Sequence, residues 1–280
     1  MTVRVAVVVA ACACALALPA AARAEGPLRL WQGAGVLVGD PRNLRGPSEL
    51  ASELVANDFT WVALQIHDGR HRRSVPTGWI QALREKGLVV GGWGVEQTHP
   101  QAEANLAASL VLRYGLSFYI ADAEATYVGP VGGRRWKRSA TFARMFRALW
   151  PGLPAALATF GAATGDNVIP LDYATWRDSG FELLPEAYYN QFPEYRPDLT
   201  VAHARRAGWD PAFVHPIVGV YHGFPAVRYV PLLRDAGTVG FSVFVADQTQ
   251  PADYAALGDG IAIGLALPRL VAGASWLATG

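Results

Sequence analysis

The sequence predicts a single α/β domain closed as an eightfold (β/α) barrel, a TIM barrel, and three observations carry that prediction. Short apolar runs alternate with amphipathic stretches of helical length through eight units, the count at which a parallel sheet closes on itself. About 256 residues remain once a leader is set aside, the usual size of such a barrel. Neither a G-x-G-x-x-G turn after the first strand nor a Walker sequence is present, as a doubly wound open sheet would require.

The elements follow in order. Leu30 to Asp40 reads as the first strand, and Ser48 to Asn57 as its helix, with Ser48 as the cap and Glu49 in the first turn. Phe59 to Asp68 is the second strand, and Thr77 to Lys86 its helix, stopped at Gly87. Leu88 to Glu96 forms the third strand. Pro100 to Tyr114 spaces Ala and Leu for one buried face and ends at Gly115, a left-handed C-cap. Leu116 to Glu124 is the fourth strand and Ser139 to Trp150 its helix. Ala155 to Phe160 is the fifth strand, followed by a short helix near Asp172 to Asp178. Phe181 to Asn190 and Leu199 to Ala207 make the sixth unit. Phe213 to Tyr221 and Ala226 to Ala236 make the seventh, whose helix must absorb Pro231 or begin after it. Thr238 to Asp247 is the eighth strand. The apolar stretch from Ile261 to Gly280 is expected to close the helical layer, because Pro268 and Arg269 interrupt it as a membrane span.

Residues 1–24 read as a secretory signal peptide and residues 25–280 as the barrel domain. Met1 to Arg4 give a positive start and Val5 to Leu18 an apolar run. Ala22 and Ala24 are the small residues a signal peptidase reads, so cleavage before Glu25 and a secreted location, extracellular or periplasmic, are expected. The apolar run is shorter than the roughly 20 residues that span a bilayer, and no membrane association is expected after cleavage. Val9-Ala10-Ala11-Cys12 is lipobox-like, but the apolar stretch before it is short for a signal. Both cysteines, Cys12 and Cys14, leave with the leader, so the exported domain holds together by packing alone. Its net charge becomes −1, and with no evident basic cluster interleaved with aromatics, nucleic acid and anionic lipid are not expected partners. No cofactor is expected, and the chain reads as a monomer. Nine tryptophans and ten tyrosines suit a sugar cleft, which uses rings with a polar handle, although a large core uses them too.

Barrel enzymes carry their chemistry at the C-terminal ends of the strands. That nominates Asp40, His67, Asp68 and Glu96 on the first three strands, then Asp122 and Glu124 on the fourth. Glu186, Tyr188, Asn190 and Gln191 end the sixth, Tyr221 and His222 the seventh, and Asp247 the eighth. On the fourth strand alternation sets Phe118, Ile120, Asp122 and Glu124 on one face, leaving the small Ala121 and Ala123 against the helices. Two carboxylates crowded in a partly dry place cannot ionise equally, and one then serves as an acid near neutral pH. Glycoside cleavage needs that division: one protonated acid for the leaving oxygen and one charge beside the forming cation. The structural alternative is that both acids cap loops or pair with arginines at the rim. Glu186, Tyr188 and Asn190 share a face, and Trp93, between Gly92 and Gly94, is placed to stack a sugar ring, with core packing the competing role. Asp247 and Tyr221 complete the expected sugar cleft. A metal reading rests on His67, Asp68 and His71, but Arg70, Arg72 and Arg73 oppose a cation there, and no metal is expected. No G-x-S-x-G and no exported cysteine supports a covalent nucleophile.

The fourth-strand stretch FYIADAEATY resembles the Asp-x-Glu strand of barrel glycosidases, both the chitinase type and the secreted lysozyme (muramidase) type. WVALQIHDG on the second strand resembles the lysozyme-type second strand. The likeness of layout spans most of residues 28 to 265, and the specific motif covers the fourth strand alone. It implies a glycoside hydrolase-like barrel acting on a polysaccharide or oligosaccharide, with Glu124 as general acid. Asp122 would then orient an N-acetyl group or stabilise charge, and a sixth-strand tyrosine, by face Tyr188, would donate to the N-acetyl oxygen. The sequence departs from the chitinase pattern at Ile120 and Ser117, where further acids stand. It departs from the lysozyme type at Gly35-Val36-Leu37, which lacks an Asp. The alternatives are a barrel that binds polysaccharide without cleaving it, a metal-dependent carbohydrate deacetylase, and a structural export protein.

Overall fold

The computed structural model describes residues 30–161 and 169–264, with side chains through residue 259. The expected leader, both cysteines and the apolar stretch from 265 to 280 lie outside the described residues.

Eight parallel strands form the sheet: β1 (Ala34–Val38), β2 (Phe59–Asp68), β3 (Val89–Glu96), β4 (Tyr119–Ala123), β5 (Ala155–Phe160), β6 (Glu182–Ala187), β7 (Ile217–Gly219) and β8 (Phe241–Phe244). Each pairs with its neighbours in sequence. β1 pairs with both β2 and β8, which closes the barrel and leaves no open edge, so the doubly wound sheet is excluded. A two-residue strand, His71–Arg72, folds back antiparallel on the end of β2. Around the barrel lie α1 (Pro47–Ala56), α2 (Trp79–Glu85), α3 (Pro100–Tyr114), α4 (Trp136–Leu149), α5 (Tyr173–Asp178), α6 (Pro197–Arg206), α7 (Tyr229–Ala236) and α8 (Pro251–Gly264). Among the described residues, no helix is long and apolar enough to cross a membrane.

β2, β5 and α3 begin and end where the sequence places them. α1 differs at its start. Its cap is Gly46, its first residue is Pro47, and Ser48 lies inside the first turn. Proline suits that first position because its ring presets φ and its missing N–H has no partner there. Pro231 is absorbed as the third residue of α7, where the N–H is still outside the intrahelical ladder. The seventh and eighth strands are shorter than expected because Pro211–Phe213 and Ala246–Gln248 turn into single 3-10 turns at their flanks.

Alternation divides the core in two. Inside the barrel Trp31, Trp61 and Phe118 meet edge to face at 5.1–5.4 Å. Gly35 and Gly91 make room for them: a Cβ at either would fall 1.9 Å from the Trp61 ring or 2.3 Å from the Phe118 ring. Each such ring takes roughly 150–250 Å² out of water, about 4–6 kcal/mol of favourable transfer as an upper bound. Outside the barrel, Val62, Leu64, Val90, Tyr119 and Ala121 pack against Leu54, Leu83, Val111 and Phe146 of the helices. Trp31, Trp61, Trp79, Trp93, Trp176 and Trp209 are all buried, so the aromatic richness of the chain serves its core first.

One irregularity redirects two candidate residues. Pairing between β2 and β3 passes from Gln65 opposite Trp93 to His67 opposite Gly94, which leaves Ile66 as an extra residue. Strict alternation would send His67 to the barrel interior and Asp68 outward. The bulge reverses that phase.

Candidate active site

β4 places Phe118 and Ile120 in the inner core, and the same face carries Asp122 and Glu124 to the C-terminal mouth of the barrel. β6 does likewise: Leu184 is in the inner core, and Glu186 and Tyr188 follow on its face. The Glu124 carbonyl accepts the N–H groups of Tyr127 (2.8 Å) and Val128 (3.2 Å), which turns the chain away at once and leaves the side chain at the mouth.

Oxygens of Asp122, Glu124 and Glu186 lie within 4.8 Å of one another. Glu124 and Tyr188 flank the Glu186 carboxyl closely enough to act on its proton affinity. Burial pushes the Asp122 and Glu186 carboxyls well above the usual carboxylate range, and the charge of Glu124 beside each pushes the same way. Asp122 Oδ1 is buried without a partner. Carboxyls this close oppose one another's charge. The trio also has the spacing to hold a cation.

The floor of the mouth is aromatic. Tyr188 stacks on Phe244 at 5.8 Å, and Tyr221 and Trp93 meet Phe244 edge-on at 6.2 and 6.1 Å. Burial raises the Tyr221 hydroxyl to about 12, against a lowering hydrogen bond from Asn190. Asn190 is itself anchored: its N–H donates to the Tyr229 hydroxyl (3.1 Å), which donates to the Gly219 carbonyl (3.0 Å). Trp93 is 4% exposed and its indole N–H is spent on the Val38 carbonyl at 3.0 Å, so it builds the floor and shows no free face to a sugar. A groove of about 490 Å³ begins at Trp93 and Phe244 and runs over the ends of β1 and β2, lined by Gln65, Arg73 and Asp247 among others. Asp247 therefore faces the mouth on the side of β1, apart from the trio, with Asn43 Nδ2 at 3.5 Å from its Oδ2.

Several nominated residues lie elsewhere. His67 and Glu96 face outward into the layer between sheet and helices, both fully buried. There the Tyr119 hydroxyl lies 2.7 Å from His67 Nε2 and 2.5 Å from Glu96 Oε1, while His67 Nδ1 is 3.0 Å from the Gly69 carbonyl. His71 is exposed on the two-residue strand, so His67, Asp68 and His71 do not converge, and the deacetylase reading loses its ligand set. Asp40 is held by Arg42 through side-chain and backbone bonds that lower its carboxyl to about 2. Gln191 and His222 are exposed at the rim. Phe244 escaped the sequence reading, and Asp68, nominated at the end of the second strand, reaches the mouth by a route the sequence did not show. Phe244 was legible, since period two from the inward Ser242 leads to it. The bulge turns Asp68 toward Asp122, whose carboxyl its charge helps to raise.

No protein-family model matches the chain, and no curated protein matches it in sequence. Solved structures do match. The chain is similar to a family GH18 chitinase of Cycas revoluta in complex with allosamidin, at TM-score 0.63 and 10% identity over 83% of this chain and 100% of that one. It is similar to a chitinase of Rhizomucor miehei (TM-score 0.59, 12% identity, 81% and 99% covered). A chitinase-like agglutinin of Robinia pseudoacacia is similar too (TM-score 0.58, 10% identity, 80% and 98% covered). At such identities the likeness shows the fold: a closed barrel of the chitinase type, divergent in sequence.

Proposed function

We propose that this barrel cleaves a polysaccharide of N-acetylated sugars, with Glu124 as general acid and Asp122 as its partner. The observation that carries the reading is the trio of Asp122, Glu124 and Glu186 within 4.8 Å at the barrel mouth, over a floor of Tyr188, Tyr221 and Phe244. The family chemistry of the solved neighbours supports it, and so does the face on which the acids emerge.

The spacing favours retention of configuration. An inverting pair stands about 6.5–9.5 Å apart, to admit a water between acid and base. These three are too close for that, and all approach from β4 and β6. The group opposite the leaving oxygen is then the sugar's own acetamido oxygen, as in substrate-assisted cleavage. Glu124 passes its proton to the glycosidic oxygen as the anomeric C–O bond breaks, and the acetamido oxygen closes on the anomeric carbon. Asp122 holds the acetamido N–H and balances the positive charge that forms. Water then opens the ring, and its proton returns to Glu124. Glu186, protonated and beside Glu124, keeps the pair supplied with a proton, and Tyr188 and Asn190 orient the sugar. We assign the work to the extracytoplasmic space, on the character of residues 1–24.

A second reading is a barrel that binds glycan without cutting it, favoured by the likeness to the chitinase-like agglutinin. Reducing-end release from chitin, peptidoglycan and fungal glucans between pH 4 and 8 separates the two. Cleavage by the wild type, with Glu124→Gln slower by roughly 100 to 10,000-fold and sugar binding retained, supports the enzyme. Binding with no released ends at any pH gives the second reading its place. Cleavage by Glu124→Gln at the wild-type rate removes Glu124 from its role.

A further inference from the structure

The near-zero net charge conceals a strong division of charge around the barrel mouth. The loop after β2 carries Arg70, Arg72 and Arg73, all exposed. The loop after β4 and the start of α4 carry Arg134, Arg135, Lys137 and Arg138 around Trp136, a basic cluster with an aromatic at its centre that overturns the sequence reading on this point. Two acids answer them in part: Asp68 pairs with Arg73 at 3.1 Å, and Asp40 pairs with Arg42 at 2.6 Å. Among the described residues, Arg70, Arg72, Arg134, Arg135, Lys137 and Arg138 make no ion pair. Arg72 donates to the Tyr114 hydroxyl, and Arg135 and Arg138 reach only the Ala125 and Thr126 carbonyls.

The other half of the mouth lacks this excess. The described loops after β6, β7 and β8 carry Glu194 and Asp247, with Arg196 neutralised by Asp198 at 2.9 Å and Arg228 covering the Tyr189 and Phe224 rings. The start of α4 compounds the contrast. It has no side-chain cap and no acid in its first turn, so its cations oppose the positive end of their own helix. An anion lying against such crowding relieves it. Two open grooves sit there: the one of about 490 Å³ over β1 and β2, reached by Arg42, Arg72 and Arg73, and one of about 550 Å³ between Thr98, Arg134, Lys137 and Arg138. The first begins at the aromatic floor of the active site, and the second flanks the loop that Glu124 opens.

We propose that the glycan bound at this mouth carries carboxylates, and that its charged portion lies along the β1–β4 side on these arginines and Lys137. The inference rests on the glycan reading of the site and narrows it from a neutral to an acidic polysaccharide. Arginine suits the task because its planar fork grips a carboxylate through two parallel hydrogen bonds. Chain direction follows as well: the anionic arm of the substrate crosses β1 to β4, and the weakly charged β6–β8 side receives the remainder.

Binding tests it without relying on cleavage. Glu124→Gln protein of full exported length is titrated with carboxymethyl-chitin, polygalacturonate and purified bacterial sacculi, against unmodified chitin and heparin, at about 50 and about 300 mM salt. The expected result is preferential binding of a carboxylated glycan, weakened at least tenfold by the added salt. The double variant Arg134→Gln/Lys137→Gln and the variant Arg70→Gln should each lose about fivefold or more of that affinity with unchanged thermal unfolding. Arg205→Gln, on α6, should lose none. Which carboxylated polymer binds best distinguishes uronic acids from carboxylates borne on N-acetylated sugars. Equal or tighter binding of unmodified chitin overturns the proposal, as does heparin binding as well as any carboxylated glycan. Insensitivity of both arginine variants overturns it too. If chitin is cleaved by the wild type yet no carboxylated glycan binds, this inference falls and the hydrolase stands. If carboxylated glycan binds and nothing is cut, the reverse holds.

Discussion

Two acid groups occupy opposite faces of the barrel wall and share only β4, and they differ in how their polar atoms are partnered. On the outer face, Glu96, Tyr119 and His67 form a chain that ends on a carbonyl. The Gly69 oxygen can only accept, so His67 Nδ1 holds its proton, and a neutral ring then accepts at Nε2 from Tyr119. The same Tyr119 hydroxyl lies 2.5 Å from Glu96 Oε1. Burial supports every step, lowering His67 to about 4 and pushing Glu96 far above its ordinary value. The chain is neutral, with Glu96 Oε2 its one orphan atom. On the inner face, Asp122, Glu124 and Glu186 crowd within 4.8 Å, no cation among the described residues pairs with them, and Asp122 Oδ1 is buried without a partner. A buried polar group that is satisfied stabilises the fold. Each group leaves one carboxyl oxygen unpartnered, but only Asp122 carries its own at the barrel mouth, beside the space a ligand would fill.

The largest expected effect bears on the inner group. Asp122→Asn should cost roughly 100-fold or more in cleavage rate, because the developing cation loses its neighbouring charge. Its stability should stay level or rise, since burial and the neighbouring acids oppose the charge that the amide removes. Initial rates beside urea unfolding midpoints measure both. A large loss of stability with normal specific activity would put Asp122 in the class of Glu96.

Next in size is the mirror experiment. Tyr119→Phe removes the middle of the outer chain and strands His67 Nε2 and Glu96 in an apolar layer. The expected loss is about 1–3 kcal/mol, the cost of buried groups left unpaired. The rate per folded molecule should not change. Chemical denaturation with activity normalised to the folded fraction checks it, and a specific rate defect would tie the outer network to the site.

A smaller effect is the shape of stability against pH. His67 is depressed on folding, so its contribution is whole above its unfolded value of about 6.5 and fades as the pH falls toward 4, by about 3 kcal/mol at most. Asp122 and Glu186 are raised on folding, so their contribution is whole below the ordinary carboxylate range of about 4 and fades as the pH rises above it. Glu96 adds to that alkaline decline. Unfolding midpoints from pH 4 to 9 should therefore fall at both ends. Asp122→Asn should flatten the alkaline limb in part and leave the acid limb alone. An unchanged alkaline limb would mean that the inner acids ionise freely in the folded state.

Much of this was legible along the chain. The spans of β2, β5 and α3, the C-cap at Gly115, and the shared face of Asp122 and Glu124 all follow from residues within a few positions of one another. The inward turn of Glu186 and Tyr188 follows from the same alternation. His67 was misplaced because one extra residue, Ile66, changes the phase, and nothing in FTWVALQIHD announces it. Trp93 was offered to a sugar because its flanking glycines suggested open space. Gly94 in fact leaves room for the His67 ring, to which a Cβ would come within 2.1 Å of Nε2.

By itself, then, the sequence determined the number of units and the two faces of each strand, because the period of two is a steric property of a single extended chain. Only the tertiary structure decided which carboxyls meet. Glu124 and Glu186 come from strands separated by β5, and their approach depends on barrel closure and register, both set by hydrogen bonds to neighbouring strands. The bulge that turns His67 away and Asp68 inward is likewise a fact of pairing between β2 and β3, and the gathering of cations on one side of the mouth appears only when the loops are arranged in a ring. Contacts between distant residues rest on long-range pairing, and local patterning carries no record of it.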